Sequence, residues 1–323
     1  MRQATEFPDG AIGAARHTAK VAVLMATKDG EAFLDDQLRS LADQTHTRVD
    51  IWVSDDGSSD GTLAILDGWR TRWSKGRFTV LEGPKQGFAE NFRALTTNAA
   101  IDADYFAFCD QDDIWMPDKL ERAISWLEAN DSGCPLLFCT RTLTISEDGT
   151  PLGQSPLFSR TPSFRNALVQ SLAGGNTMVF NRVARRMMAM ASARTSFVSH
   201  DWWAYLIVTG VGGRVHYSSA PLVRYRQHSG NEVGANTSWR ARCSRLRRLY
   251  AGQFVGWTDS NLSALERNRD LLTVDALQAL ELFHNARKGN LATRIRNLQR
   301  SGVYRQRLLG TLLLWPSIAL GLL

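Results

Sequence analysis

Phe108-Cys109-Asp110-Gln111-Asp112-Asp113-Ile114-Trp115-Met116 sets three carboxylates within four positions, straight after the apolar run Tyr105–Phe108 and just ahead of Pro117. A strand that ends in an acidic turn aims several oxygen ligands at one point. Hard divalent cations such as Mg²⁺ or Mn²⁺ take that arrangement when they are shared with substrate phosphates. A solvated acidic turn is the plain alternative for these nine residues taken alone. The rest of the chain decides between the two.

Upstream the pattern repeats. Lys20 to Thr27 carries Val21-Ala22-Val23-Leu24-Met25, a buried strand, followed by the turn Lys28-Asp29-Gly30 and by Leu34, Leu38, Leu41 and Ala42 at helical spacing. Asp50 to Ser54 is a second strand. The turn Asp55-Asp56-Gly57-Ser58-Ser59-Asp60-Gly61 follows, with Ser59 or Asp60 placed to cap a helix bearing Leu63, Ile65 and Leu66. Phe78 to Leu81 predicts a third strand, Phe88 to Ala100 a helix, and Tyr105 to Cys109 the strand that runs into the acidic turn. Pro117 stands near the start of a helix reaching about Ala129. Leu136 to Thr144 predicts a further strand with a hairpin turn at Glu147-Asp148-Gly149, and residues 163–230 are mixed. Strands alternating with helices predict an α/β fold, a mainly parallel sheet covered on both faces. Such sheets bind ligands outside the carboxyl ends of their strands. Three polar turns fall there: Thr27–Glu31, Asp55–Asp60 and Asp110–Asp113.

The chain has 323 residues, room for two domains or for one with an appendage, and 44% apolar residues, enough for a full core. Its net charge of +6 is unevenly spread: residues 240–307 hold 14 Arg or Lys against five Asp or Glu. After Trp239 the periodicity is helical, so a basic helical C-terminal region (239–323) is expected to follow the main domain (19–238) and to favour an anionic partner. Residues 1–18 are polar, lack the apolar core of a signal peptide, and are expected to be disordered. Cys109, Cys134, Cys139 and Cys243 form no CxxC pair, which fits a reducing compartment better than a zinc site or a disulfide framework. Leu308 to Leu323 carries no charge, but it is short of the roughly 20 residues a spanning helix needs and is interrupted by Pro316. An interfacial anchor is the expectation, a buried terminal helix its competitor.

Six pieces in order resemble family 2 glycosyltransferases, which have the GT-A fold. They are Val23 to Glu31 (VLMATKDGE), Ser54 to Thr62 (SDDGSSDGT), Cys109 to Trp115 (CDQDDIW), Gly174 to Asn181 (GGNTMVFN), Ser199 to Trp203 (SHDWW) and Tyr225 to His228 (YRQH). Within the family, the DQDDIW, HDWW and YRQH pieces look most like rhamnosyltransferases of bacterial cell-surface polysaccharide assembly. The resemblance implies a nucleotide-sugar donor, Mg²⁺ or Mn²⁺, and a glycan or lipid-linked acceptor. It assigns Asp112 and His228 to the metal, and Asp110 to the ribose or the metal. Asp55 or Asp56 would hydrogen-bond the base, and Thr27 and Glu31 would line the same pocket. Gln111 and Arg226, the latter as a phosphate clamp, are added to it. Lys85 and Asn91 stand where family members often carry Asn and Arg, and are placed there too. Gly175 and Asn176 would form part of the acceptor floor, and Trp202 and Trp203 would stack on a sugar.

Asp201 is the expected catalytic base, since an inverting transfer needs one carboxylate to take the proton from the acceptor hydroxyl. Beside two tryptophans it would be partly desolvated, which raises its pKa. Helix capping by Ser199, His200 and Asp201 is the structural alternative. Processive members carry a QxxRW signature; Ser238-Trp239-Arg240 does not match it, so a single addition is expected. The expected location is cytoplasmic, on the inner face of the membrane. Two other classes compete. A nucleotidyltransferase would use the same acidic turn, but its first loop is expected to be rich in Gly and basic residues, whereas Ala26 to Glu31 is not. A nucleic-acid-binding tail would need a recognition motif, and none is present.

Overall fold

The computed structural model describes residues 18–228 and 254–321. The N-terminal tail up to residue 17, Ser238-Trp239-Arg240 and the opening of the basic region lie outside the described residues. The first half is an open parallel sheet in the order β3-β2-β1-β4, made of β1 (Val21–Thr27), β2 (Val49–Asp55), β3 (Phe78–Glu82) and β4 (Tyr105–Cys109). Its connections are α1 (Leu34–Ala42), α2 (Thr62–Arg72) and α3 (Phe88–Thr97). The expected strands and helices are all present, with ends shifted by up to three residues.

The sheet continues past β4 through β8 (Val179–Asn181), β6 (Leu136–Ile145), β9 (Arg214–Arg226) and β5 (Ile114–Trp115), while β7 (Pro151–Gln154) pairs with β6 as the expected hairpin. Here the pairing is mixed: β8 runs antiparallel to both β4 and β6, β6 and β9 are parallel, and β5 is antiparallel to β9. Two strands escaped the sequence reading. β5 has two residues and β8 three, too short to show a period of two. β9, with 13 residues, lies in the segment that read as mixed.

The alternation along β1 divides the core. Val21, Val23 and Met25 face a cluster with α1, α2 and α4 (Lys119–Ala129). Ala22 and Leu24 face a larger one with α3, α6 (Arg182–Ser192) and α7 (His200–Gly210). β1 is therefore apolar throughout, as a strand covered on both faces must be. Five C-terminal helices follow, and all but the fourth contribute to that second cluster. They are α8 (Phe254–Glu266), α9 (Val274–Ala286), α10 (Leu291–Ser301), α11 (Leu308–Leu312) and α12 (Leu314–Ala319). Leu265, Leu280, Phe283, Leu298 and Ile318 lie in one apolar mass with Tyr205 and Leu206 of α7. Arg165 of α5 (Phe164–Ala167) binds Asp275 with two hydrogen bonds of 2.5 and 2.6 Å across the same junction. The helical region thus shares a core with the α/β fold. No helix among the described residues is long and apolar enough to cross a membrane.

Candidate active site

All three expected turns gather at the carboxyl ends of β1, β2 and β4, and hydrogen bonds between loops lace them together. Asp29 accepts from Ser59 N (2.7 Å), and Glu31 accepts from Gly61 N (2.8 Å). Asp60 accepts from Glu31 N (3.0 Å) and from Thr62 N (3.0 Å), but the N-cap position of α2 is Gly61, not the expected Ser59 or Asp60. The Gln111 side chain clasps the backbone of Lys28, accepting from its N–H at 2.8 Å and donating to its carbonyl at 2.9 Å.

The two aspartates after β2 separate into different roles. Asp55 accepts from Thr27 Oγ1 (2.9 Å), Gly57 N (3.1 Å), Ser58 N (2.8 Å) and Ser58 Oγ (2.6 Å). Its carboxylate is consumed in shaping the turn, an Asx arrangement. Asp56 instead lines an open cleft with Lys28, Gly57, Ser58, Lys85 and Gly87. It holds the far wall by accepting from Lys85 N (2.6 Å) and Gly87 N (2.8 Å). Of the two lysines lining the cleft, Lys28 donates its ammonium to Gly57 O and Lys85 pairs with Glu82 Oε1 (2.7 Å). The Lys85 pKa is raised, first by its hydrogen bond to Glu82 and then by the charges of Glu82, Asp55 and Asp56. Asn91 does not face the cleft: it is 1% exposed and donates to Ser54 O (2.8 Å), pinning the end of β2.

The acidic turn meets the end of β9. Asp112 Oδ2 lies 2.7 Å from His228 Nε2, although the two residues are 116 positions apart. Two ligands in neighbouring positions about 2.1 Å from one cation lie about 3 Å apart, so this donor pair fits an octahedral Mg²⁺ or Mn²⁺. The described residues hold no group of three or more His, Cys, Asp or Glu placed as a cage. The pair therefore suits a cation completed by other oxygens, such as those of a diphosphate.

Arg226 corrects an expectation. It is 3% exposed and donates to Asp112 O (3.0 Å), Glu147 O (2.6 Å) and Asp36 Oδ2 (3.0 Å), with its guanidinium against the Phe33 ring. It is a strut beneath the acidic turn, because its fork is already occupied by the protein. Asn176 is likewise buried, at 2%, and donates to Asp113 Oδ2, while Asp113 Oδ1 accepts from Arg226 N (3.1 Å). The Asn176 carbonyl accepts from Lys119 Nζ (2.6 Å), an ammonium packed over the Trp115 ring. Asn176 thus supports the acidic turn from behind, while Gly175 lies against the His200 ring. Burial pushes the Asp113 pKa well up, with the charges of Asp112 and Asp110 adding to it, and pushes that of Lys119 well down.

Asp201 stands in the first turn of α7. Burial raises its pKa, opposed by hydrogen bonds from Ser199, Trp202 N and Ser171. The expected desolvated carboxylate is there, but the tryptophans beside it are not a sugar platform. Trp202 and Trp203 are 5% and 2% exposed, and their indole N–H groups donate to Ala167 O (2.6 Å) and Ser192 Oγ (3.0 Å). On a helix packed into the core, consecutive residues at those positions turn inward. His200, weighed in the sequence only as part of a helix cap, is 7% exposed and stacks on Phe92 at 3.7 Å, with Phe108 at 4.8 Å and Phe88 at 6.1 Å. Neither ring nitrogen has a hydrogen-bond partner among the described residues, and burial lowers its pKa to about 3.

Residues 22–190 match the model of the glycosyl transferase family 2. The chain is a family 2 glycosyltransferase. It is 28% identical over 232 residues to the dTDP-rhamnosyl transferase RfbG of Shigella flexneri, covering 69% of this chain and 78% of RfbG. It is 25% identical over 224 residues to TuaG, a Bacillus subtilis glycosyltransferase named for teichuronic acid biosynthesis, covering 68% and 83%. Among solved structures, Staphylococcus aureus TarS 1–349 with UDP-GlcNAc superposes with a TM-score of 0.52 at 18% identity, covering 88% of this chain and 93% of that one. The mannosyltransferase PcManGT of Pyrobaculum calidifontis, with GDP-Man and Mn²⁺, gives 0.50 at 15% identity, covering 94% and 87%. These likenesses show the expected GT-A fold, and family membership closes the nucleotidyltransferase alternative. Lys28, Lys119 and His200 had no place among the expected site residues, yet they line the cleft, back the acidic turn and precede Asp201. Lys28 and His200 lay in quoted motifs; nothing in the sequence marks Lys119 as buried.

Proposed function

We propose that this glycosyltransferase adds a single sugar, L-rhamnose from dTDP-L-rhamnose, to a glycan or lipid-linked acceptor in cell-surface polysaccharide assembly, with inversion at the anomeric carbon. The convergence of Asp112 and His228 at the carboxyl end of β4, beside the Asp56–Lys85 cleft, carries the reading. The similarity to RfbG supports the choice of donor.

Asp56 accepts from the base, and Lys28 and Lys85 offset the diphosphate charge. Mg²⁺ or Mn²⁺ held by Asp112 and His228 would act as a Lewis acid on the departing diphosphate. Asp110, in the same turn, holds the ribose. Asp201 takes the proton of the acceptor hydroxyl as that oxygen bonds to the anomeric carbon. The bond from that carbon to the diphosphate breaks, and the diphosphate leaves with the electron pair. Desolvation suits Asp201 to the role, since a base works best with a pKa raised toward the working pH.

The enzyme works at the inner face of the membrane, bound through its C-terminal helices and not to nucleic acid. Leu308, Leu309, Leu312 and Leu320 are 54–72% exposed, with Trp315 at 37%. Exposed Arg296 and Arg300 stand on α10 and exposed Arg307 just before α11, and none forms an ion pair with a described residue. Exposed apolar side chains and exposed arginines in one C-terminal region match an anionic lipid surface, each basic residue near it contributing about 1 kcal/mol.

The test is thermal stability with dTDP, UDP, GDP, CDP and ADP, each with and without Mn²⁺. A Mn²⁺-dependent rise with dTDP supports the reading; a rise with another nucleotide alone replaces the donor. Asp112→Ala and Asp201→Ala should each lower transfer by a factor on the order of 10² or more while the fold stays intact. Full activity in either removes that residue from its role.

A further inference from the structure

Among the described residues, two aromatic side chains are exposed: Trp315 in the C-terminal apolar patch and Phe88, 36% exposed, at the cleft. The position of Phe88 is tightly specified. Asp56 binds the N–H groups of Lys85 and Gly87, and the chain reverses between them with φ of 58° and 90°. Only glycine takes the second of these angles freely, and the space over Gly87 is open. Phe88 follows at once as the first residue of α3.

On its other side the Phe88 ring meets the His200 imidazole edge to face, at 6.1 Å and 76°. His200 in turn is packed on Phe92 and Phe108, both 1% exposed. The residue after His200 is Asp201. The Phe88 ring therefore bridges from Gly87, a wall of the cleft, to the residue preceding the proposed base. Its neighbours Phe92 and Phe108 are sealed, so its exposure belongs to this junction.

We propose that Phe88 is the platform on which the apolar face of a pyranose packs at the junction of donor and acceptor, and so a specificity-determining residue. The inference rests on the glycosyltransferase reading of the cleft. A pyranose presents a face of C–H groups that packs on an aromatic ring as other apolar groups do. Phe88 follows Gly87 of the cleft and touches His200, the chain neighbour of Asp201, so its ring stands between the two places the proposal needs a sugar to join. The indoles of Trp202 and Trp203, the other aromatics near that base, are turned into the core.

The experiment is calorimetric titration of wild type, Phe88→Ala and Phe88→Trp with dTDP and with dTDP-L-rhamnose, all with Mn²⁺. A second arm titrates methyl glycosides of rhamnose, glucose, galactose and N-acetylglucosamine onto enzyme saturated with dTDP and Mn²⁺. In Phe88→Ala, dTDP affinity should hold within about twofold, while dTDP-L-rhamnose or the glycoside that wild type binds weakens about five- to tenfold. The donor arm moving places the transferred sugar on the ring; the glycoside arm moving places the acceptor there. Phe88→Trp should retain binding in the arm that moves. Equal weakening of dTDP itself, or no change in either arm, overturns the platform. Failure of wild type to bind any of the probes refutes the reading of the cleft, and the platform with it, before any variant is made.

Discussion

Removing the titratable ring of His200 should flatten the acid sensitivity of the fold. The imidazole is 7% exposed with both nitrogens unpartnered, and desolvation lowers its pKa from 6.5 to about 3. Its place at the N-terminus of α7 acts in the same direction, since the helix dipole disfavours a cation there. The sign follows from linkage. The folded pKa lies below the unfolded one, so His200 costs nothing above pH 6.5 and destabilises the fold as pH falls from there toward 3. With an unfolded pKa of about 6.5, the loss between pH 7.5 and 5.0 is about 2 kcal/mol, out of a typical total of about 5–15. His200→Leu fills much of the same space and cannot take a proton. Urea unfolding of both proteins at pH 7.5 and 5.0 should show wild type losing about 2 kcal/mol more than the variant. Equal losses would mean that His200 is protonated in the folded state, and that the buried neutral ring is wrong.

Three further outcomes follow from the same contacts. A Cβ at Gly175 would overlap His200 Nε2, so Gly175→Ala should lower stability by about 1–3 kcal/mol, and most of that should vanish on a His200→Ala background in thermal unfolding. Asn176→Ala removes a donor from the buried Asp113 carboxylate and should cost about 1–3 kcal/mol; an unchanged melting temperature would show that the contact is idle. Leu309→Asp with Leu312→Asp, both exposed positions, should abolish sedimentation with vesicles containing anionic lipid while leaving the melting temperature in place.

The parallel half of the fold was legible because its signals are local. Val21–Met25 is apolar at every position, and the turns after β1, β2 and β4 carry residues that suit no regular element. The mixed half was not, since β5 and β8 are too short to carry a pattern and exist through pairing with β9, β4 and β6. At the site, Asp112 and His228 were expected to meet, and they do. What sequence does not encode is the direction a polar side chain faces. Arg226, Asn91 and Asn176 were placed toward ligand, and each spends its hydrogen bonds on backbone or on a neighbouring carboxylate. Trp202 and Trp203 lie in a helix apolar on nearly every side, so no stripe marked the inner face.

The ties among the loops after β1, β2 and β4 have a consequence for changing the enzyme's donor. Asp29 with Ser59, Glu31 with Gly61, and Gln111 with Lys28 make the rim a single preformed frame, so little ordering remains to be done when a nucleotide enters. The same ties set a rule for transplantation. A loop taken alone from a relative of different donor preference arrives without its counterparts and leaves carboxylates and backbone amides unmatched on the other two. Substrate preference in this scaffold is exchanged by grafting the three loops as a set, or by altering side chains such as Lys85 that face the cleft without holding the frame.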